Sequence, residues 1–211
     1  MQSRTNSRGQ FLAATVGVVA LALGARAGAQ PAENAAVPTA PAEVVAALHA
    51  GIVAAAKAPA REVEVRYTDL EPLVERTHDL PYIAELSLRR HWAGLTDDQR
   101  ERFLAAFSRL SVMTYAVRFG TATAETFEML ESEDGGNGRV LVHAKINRAN
   151  DPDVSLDYLL HETDNGWKII NILADQVSDL ALKRAEYARV LGTGTIEDLI
   201  AELGSQTDEL K

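Results

Sequence analysis

The hydrophobic period of this chain changes once, and that change dictates its fold class. Up to Gly120 the apolar residues recur at helical spacing, and from Phe127 and Met129 onward they alternate, which is the signature of strands. Residues 43–57 are Ala-rich, with Val44, Leu48, Ile52 and Val53 spaced for a helix that Pro59 ends. Further helices are predicted over residues 67–76 and 81–92, the latter with Pro81 at its first position and Asp79 as its cap. The clearest helix opens at Thr96. Gln99 completes a capping box there, Asp97 and Asp98 complement the dipole of the first turn, and Phe103, Phe107, Leu110 and Val117 share a face.

In the alternating half, the Gly135-Gly136-Asn137-Gly138 run reads as a hairpin loop. Val140, Val142, Ala144 and Ile146 then line one face of a strand, against Arg139, His143, Lys145 and Asn147 on the other. Val154, Leu156, Tyr158 and Leu160 repeat the pattern after an Asn-Asp-Pro-Asp turn at 150–153, and Asn165-Gly166 marks a second hairpin leading into residues 167–173. Two helices close the chain: residues 178–191, stopped by Gly192, and residues 195–203, with Thr195 and Asp198 as a capping pair. Helices, about four successive strands and helices again describe an α+β domain with helices packed on a curved antiparallel sheet.

The N-terminus carries a different signal. Arg4 and Arg8 precede an apolar run from Phe11 to Leu23, and Ala27-Gly28-Ala29 offers an A-x-A cleavage site. That run is shorter than the roughly 20 residues a membrane-spanning helix needs, so residues 1–29 are expected to be a cleaved secretory signal. Cleavage would remove Arg4, Arg8 and Arg26, taking the formal net charge from −9 to −12. So acidic a chain is not expected to bind nucleic acid or anionic membrane surfaces. Residues 30–42, rich in Ala and Pro, have too few large apolar side chains to offset the entropy of ordering and read as a flexible leader. Residues 43–211 remain as a single domain, stabilised by packing alone because the chain has no cysteine.

Several chemistries lack their residues. The histidines at 49, 78, 91, 143 and 161 show no metal-ligand spacing and no thiolate can complete a site, so surface or capping roles are expected for them and no cofactor is implied. His143 and His161 are candidates to face each other across neighbouring strands. No G-x-S-x-G turn offers a nucleophile, and the Gly135–Gly138 run lacks the following Lys-Ser or Lys-Thr of a phosphate loop. One catalytic alternative uses Tyr158 with Asp79 or Asp175 for acid–base chemistry in an apolar cavity. Another alternative is an adaptor that docks to a transporter and carries nothing.

The stretch Thr77-His78-Asp79-Leu80-Pro81-Tyr82-Ile83-Ala84, then Arg90-His91-Trp92 and Leu95-Thr96 with Gln99-Arg100-Glu101-Arg102-Phe103, resembles the MlaC family of periplasmic lipid-binding proteins. Gly166-Trp167-Lys168-Ile169-Ile170-Asn171-Ile172 and Val177-Ser178-Asp179-Leu180-Ala181-Leu182-Lys183-Arg184 extend the resemblance over most of the chain from about Val44. His78-Asp79-Leu80-Pro81 and the helix from Ser178 to Tyr187 are most similar to the branch called HpnM, associated with hopanoid biosynthesis. The phospholipid-carrying members have an aromatic residue on each side of the aspartate, whereas Asp79 lies between His78 and Leu80.

The resemblance implies a non-enzymatic carrier with an apolar pocket between helices and sheet, for a phospholipid or a hopanoid-type lipid. It also implies an ABC transporter partner in the inner membrane and, as a second candidate, an outer-membrane lipoprotein complex. Candidate tail contacts are Tyr82, Ile83, Leu86, Phe107, Leu110 and Tyr115 from helices, opposed by Val142, Ile146, Leu156, Tyr158, Trp167 and Ile169 from strands. Tyr and Trp would bond a polar edge near the mouth. Apolar periodicity by itself describes a filled core equally well, and the hollow interior is an implication of the resemblance.

Overall fold

The structure, a computed structural model, describes residues 40–57, 63–119, 125–149 and 151–211. The expected signal segment, and the expected leader up to residue 39, lie outside them. Helices α1 (Pro41–Lys57), α2 (Val63–Thr77) and α3 (Leu80–Leu88) are followed by a 3₁₀ turn (Arg89–Gly94) and helix α4 (Asp97–Arg118). Strands β1 (Thr126–Gly136), β2 (Arg139–Asn147), β3 (Val154–Thr163), β4 (Gly166–Ala174) and β5 (Val177–Ser178) come next, then α5 (Asp179–Thr193) and α6 (Ile196–Glu209). The sheet is one antiparallel meander in the order β1-β2-β3-β4-β5. Its fifth strand, two residues long, adds to the four expected.

The helix starts follow the local chemistry of the sequence. Thr96 Oγ1 accepts from the Gln99 amide at 3.2 Å while Gln99 Oε1 accepts from the Thr96 amide at 3.1 Å, satisfying two orphan donors at once. Asp79 caps α3 by accepting from the Tyr82 amide at 3.1 Å, and Thr195 with Asp198 forms the box of α6. The helix ends depart further from expectation. Helix α1 takes in Pro41 and Ala42 from the expected leader, and Pro81 is the second residue of α3 because Leu80 is the first. Helix α3 stops at Arg89, which sits at φ +52° and ψ −123°. Helix α5 runs through Gly192 and ends before Gly194, since an interior glycine weakens a helix without forbidding it. Helix α6 continues past Leu203 to Glu209.

Strand alternation is obeyed on β3, where Val154, Leu156, Tyr158 and Leu160 are all buried, and on β2 at Val142, Ala144 and Ile146. It fails on β4. Leu160 pairs with Ile169 and Leu159 with Asn171, so Ile170 is an extra residue in the ladder. This bulge turns both Ile169 and Ile170 inward. The β1–β2 hairpin turns at Asn137-Gly138, both in the left-handed region. In the β3–β4 hairpin Asp164 and Asn165 make the turn, while Gly166, at φ +91°, pairs with Thr163. On the polar face of the sheet His143 lies opposite Asp157, bonded at 2.6 Å, and His161 lies opposite Arg139, so the two histidines do not meet.

The ends of α2, α3 and α4 are fixed to distant elements by cations. Lys168 of β4 donates to the carbonyls of Glu75 and Arg76 at the end of α2, at 2.9 and 2.7 Å. Arg184 of α5 donates to Leu86 in the last turn of α3 at 2.9 Å, and Arg66 of α2 to Ala116 in the last turn of α4 at 2.7 Å. Each supplies positive charge where unsatisfied carbonyls collect. The α2–α3 junction is joined to the sheet through a bridge of His78 with Ile169, the Asp79 amide donating to the Ile169 carbonyl at 3.0 Å.

Candidate functional site: a cavity between helices and sheet

The inner face of the sheet does not meet the helices everywhere. A cavity of about 660 Å³ lies between them, within the ~300–1,000 Å³ of small-molecule sites. Ile52 of α1, Val74 of α2, Leu80 and Ile83 of α3, and Phe107 and Leu110 of α4 form its helical wall. Ile146, Leu156, Ile169, Ile170 and Ile172 form the sheet wall, and Leu180 and Tyr187 of α5 close one side. The lining includes solvent-exposed residues where α4, α5, α6 and the β4–β5 turn converge: Thr114, Arg118, Val177, Asp179, Leu182 and Glu209. Val177 and Leu182, 53% and 59% exposed, are large apolar side chains left in water at this mouth.

Two buried histidines each hold a tyrosine that lines the cavity, His49 from behind the wall and His78 from within it. His49, 5% exposed, stacks on Phe127 at 4.1 Å, and its Nε2 lies 2.8 Å from the Tyr158 hydroxyl. His78, 6% exposed, places Nε2 at 3.0 Å from the Tyr115 hydroxyl and Nδ1 at 3.2 Å from the Val74 carbonyl. Burial lowers both imidazoles to about 4, so both are neutral at physiological pH. Burial also pushes the Tyr115 and Tyr158 phenols well up, Tyr115 further raised by the neighbouring Tyr158, and both keep their protons. The expectation of surface or capping histidines is thus corrected for these two: their tyrosine partners lie 109 and 37 residues away in sequence, too far to leave a local signal.

Of the twelve candidate contacts, the structure brings Ile83, Phe107, Leu110, Tyr115, Ile146, Leu156, Tyr158 and Ile169 into the wall. Four lie elsewhere. Tyr82, one residue before Ile83, is rotated out of the wall, stacks on His161 at 4.7 Å and accepts from Arg139. Leu86 packs where α3 meets α5, its carbonyl held by Arg184. Val142 shares a face with Ile146 but is a strand turn away, fully buried in the filled core. Trp167 sits at the hairpin end opposite Glu162. The wall residues outside the twelve candidates include His78, Ile170 and Tyr187. The bulge hid Ile170, while Tyr187 carried only the ordinary helical periodicity of its own segment.

The catalytic alternative is not assembled. Asp79 is occupied by the Tyr82 amide and by His161 Nε2 at 2.8 Å, and Asp175 by the Ser155 amide at 3.0 Å. Neither lines the cavity with Tyr158. Among the described residues no group of three His, Asp or Glu side chains is placed to hold a metal ion, and no helix is long and apolar enough to cross a membrane.

A family model described as MlaC protein matches residues 43–205. The chain belongs to the MlaC family. Its fold is shared by a phospholipid-binding protein from Ralstonia solanacearum, solved in complex with a phospholipid, with a TM-score of 0.72 and 18% sequence identity. The match covers 81% of this chain and 98% of that one. In this MlaC protein the matched region spans α1 to most of α6, and so includes nearly all of the cavity wall.

Proposed function

We propose that this MlaC protein is a periplasmic carrier that takes the apolar part of a phospholipid or hopanoid-type lipid into the cavity. It moves the lipid between membranes together with an ABC transporter of the inner membrane and an outer-membrane lipoprotein complex. The observation that carries this reading is an apolar cavity of about 660 Å³ with an open mouth, in a fold shared with a protein solved with phospholipid. A tail of about 16 carbons in water carries on the order of 12 kcal/mol of unfavourable transfer free energy at ~0.8 kcal/mol per methylene. Only a dry cavity can carry such a molecule between membranes. The exposed Val177 and Leu182 at the mouth suit a surface that meets a membrane or a transporter while the lipid passes.

Residues 1–29 then serve as the export signal, cleaved after Ala29, and the matched domain works beyond the inner membrane. The principal test is organic extraction of the protein purified from its own host, followed by mass spectrometry. A carrier yields stoichiometric phospholipid or hopanoid. An empty protein that also takes up no lipid from vesicles refutes the reading. N-terminal sequencing of the exported protein checks the cleavage site, which is refuted by an intact Met1 or a start other than Gln30.

A further inference from the structure

The cavity is not uniformly apolar, and the hydrogen-bond directions around its two tyrosines can be assigned. His78 Nδ1 faces the Val74 carbonyl, which can only accept, and Thr77 Oγ1, whose single proton goes to the Leu73 carbonyl at 2.8 Å. His78 therefore carries its proton on Nδ1, and the neutral ring accepts at Nε2. The Tyr115 hydroxyl donates to it. Its proton is spent, and its oxygen lone pairs remain on a residue that lines the cavity.

His49 is the reverse case. Its Nδ1 is buried without a hydrogen-bond partner. A buried N–H left unpaired is rarer than a buried acceptor left unpaired, so the proton belongs on Nε2, which donates to the Tyr158 oxygen at 2.8 Å. The Tyr158 hydroxyl proton then has no acceptor among the described residues, on a side chain that lines the cavity. Other hydroxyls of the wall differ: Ser111 and Thr114 spend their protons on their own helix, on the Phe107 and Leu110 carbonyls at 2.8 Å each.

We propose that this MlaC protein recognises an uncharged hydroxyl on its lipid, held inside the cavity between a Tyr158 donor and a Tyr115 acceptor, each locked in its role by a buried histidine. A hydroxyl accepts one hydrogen bond and donates another, so it satisfies both tyrosines. An alkyl chain satisfies neither, and an ester carbonyl only Tyr158. The inference rests on the carrier reading and adds the chemistry and position of the ligand's polar group.

The test is a competition on delipidated full-length mature protein, with hexadecanol and hexadecane each displacing a fluorescent fatty-chain probe. Wild type is expected to favour the alcohol over the alkane. The alcohol-to-alkane affinity ratio is expected to fall on the order of tenfold in Tyr158→Phe and again in Tyr115→Phe. Taking the ratio cancels any general loosening of the cavity by either substitution, and the two variants are made separately so that one suffices if the other does not fold. An unchanged ratio in the variants overturns the inference and leaves the carrier reading standing. Failure of wild type to bind either compound overturns both.

Discussion

Neutral histidines buried beside the cavity make the fold sensitive to mild acid. In the folded protein burial lowers His49 and His78 from the ordinary 6.5 to about 4, whereas in the unfolded chain both return to the ordinary value. The folded state thus resists protonation. The stability gained from each neutral ring is complete above pH 6.5 and is lost as the pH falls from there toward 4. With these values each ring forfeits about 2 kcal/mol by pH ~5 and about 3 kcal/mol by pH ~4, so the pair removes about 4 kcal/mol over the first interval. That is a large part of the roughly 5–15 kcal/mol typical of a domain. His143 acts in the opposite direction, because its hydrogen bond to Asp157 raises it, and its contribution grows as the pH falls. Urea unfolding at pH 7 and about pH 5 of wild type, His49→Phe and His78→Phe separates the terms. Each variant should lose about 2 kcal/mol of the wild-type pH dependence, whatever its absolute stability. A wild type equally stable at both pH values, or variants with the wild-type slope, would refute the assignment of buried neutral rings.

Lys168→Met removes the cation from the last carbonyls of α2 and should lower stability by about 1 kcal/mol in thermal or urea melts; an unchanged midpoint would show that water replaces it without loss. Arg89→Gly relieves a non-glycine residue at φ +52° and should raise stability by about 1 kcal/mol, and a lower melting temperature would contradict that. Leu110→Trp places a larger side chain on the cavity wall and should reduce lipid uptake severalfold with little change in melting temperature. In a filled core the same enlargement would cost about 1–3 kcal/mol, so a strongly destabilised variant would argue against a hollow interior.

What could be read in the sequence was whatever is decided within a few residues. Thr96 with Gln99 forms its capping box from local geometry alone, and the alternation of Val154, Leu156, Tyr158 and Leu160 fixes the inner face of β3. Ile169 and Ile170 mark the limit of this reading, because a bulge against Leu159 and Leu160 breaks the rule of two and nothing in Lys168-Ile169-Ile170-Asn171 announces it. Tyr82 and Ile83 differ by one helical step, one bound to the outer face of the sheet and the other in the wall. Val142 and Ile146 obey the same alternation, but only Ile146 meets empty space. A filled and a hollow interior impose the same pattern of burial.

A domain with a cavity between helices and sheet cannot hold those walls in place by packing across the cavity, and several long-range ties among the described residues lie away from it. The ends of α2, α3 and α4 are each held by a cation from another element. The α2–α3 junction is pinned to β4 at Ile169, and Asp79 reaches His161 across the sheet edge. These contacts fix helix ends by directional bonds to carbonyls and carboxylates, which leaves the wall side chains free to vary in size without moving the frame. A family fold shared at 18% identity with the phospholipid-bound neighbour is what such a division of labour permits: the frame constrains a few polar pairs, while the lining, apart from Tyr115 and Tyr158 with their histidines, is constrained only to be apolar and to leave room.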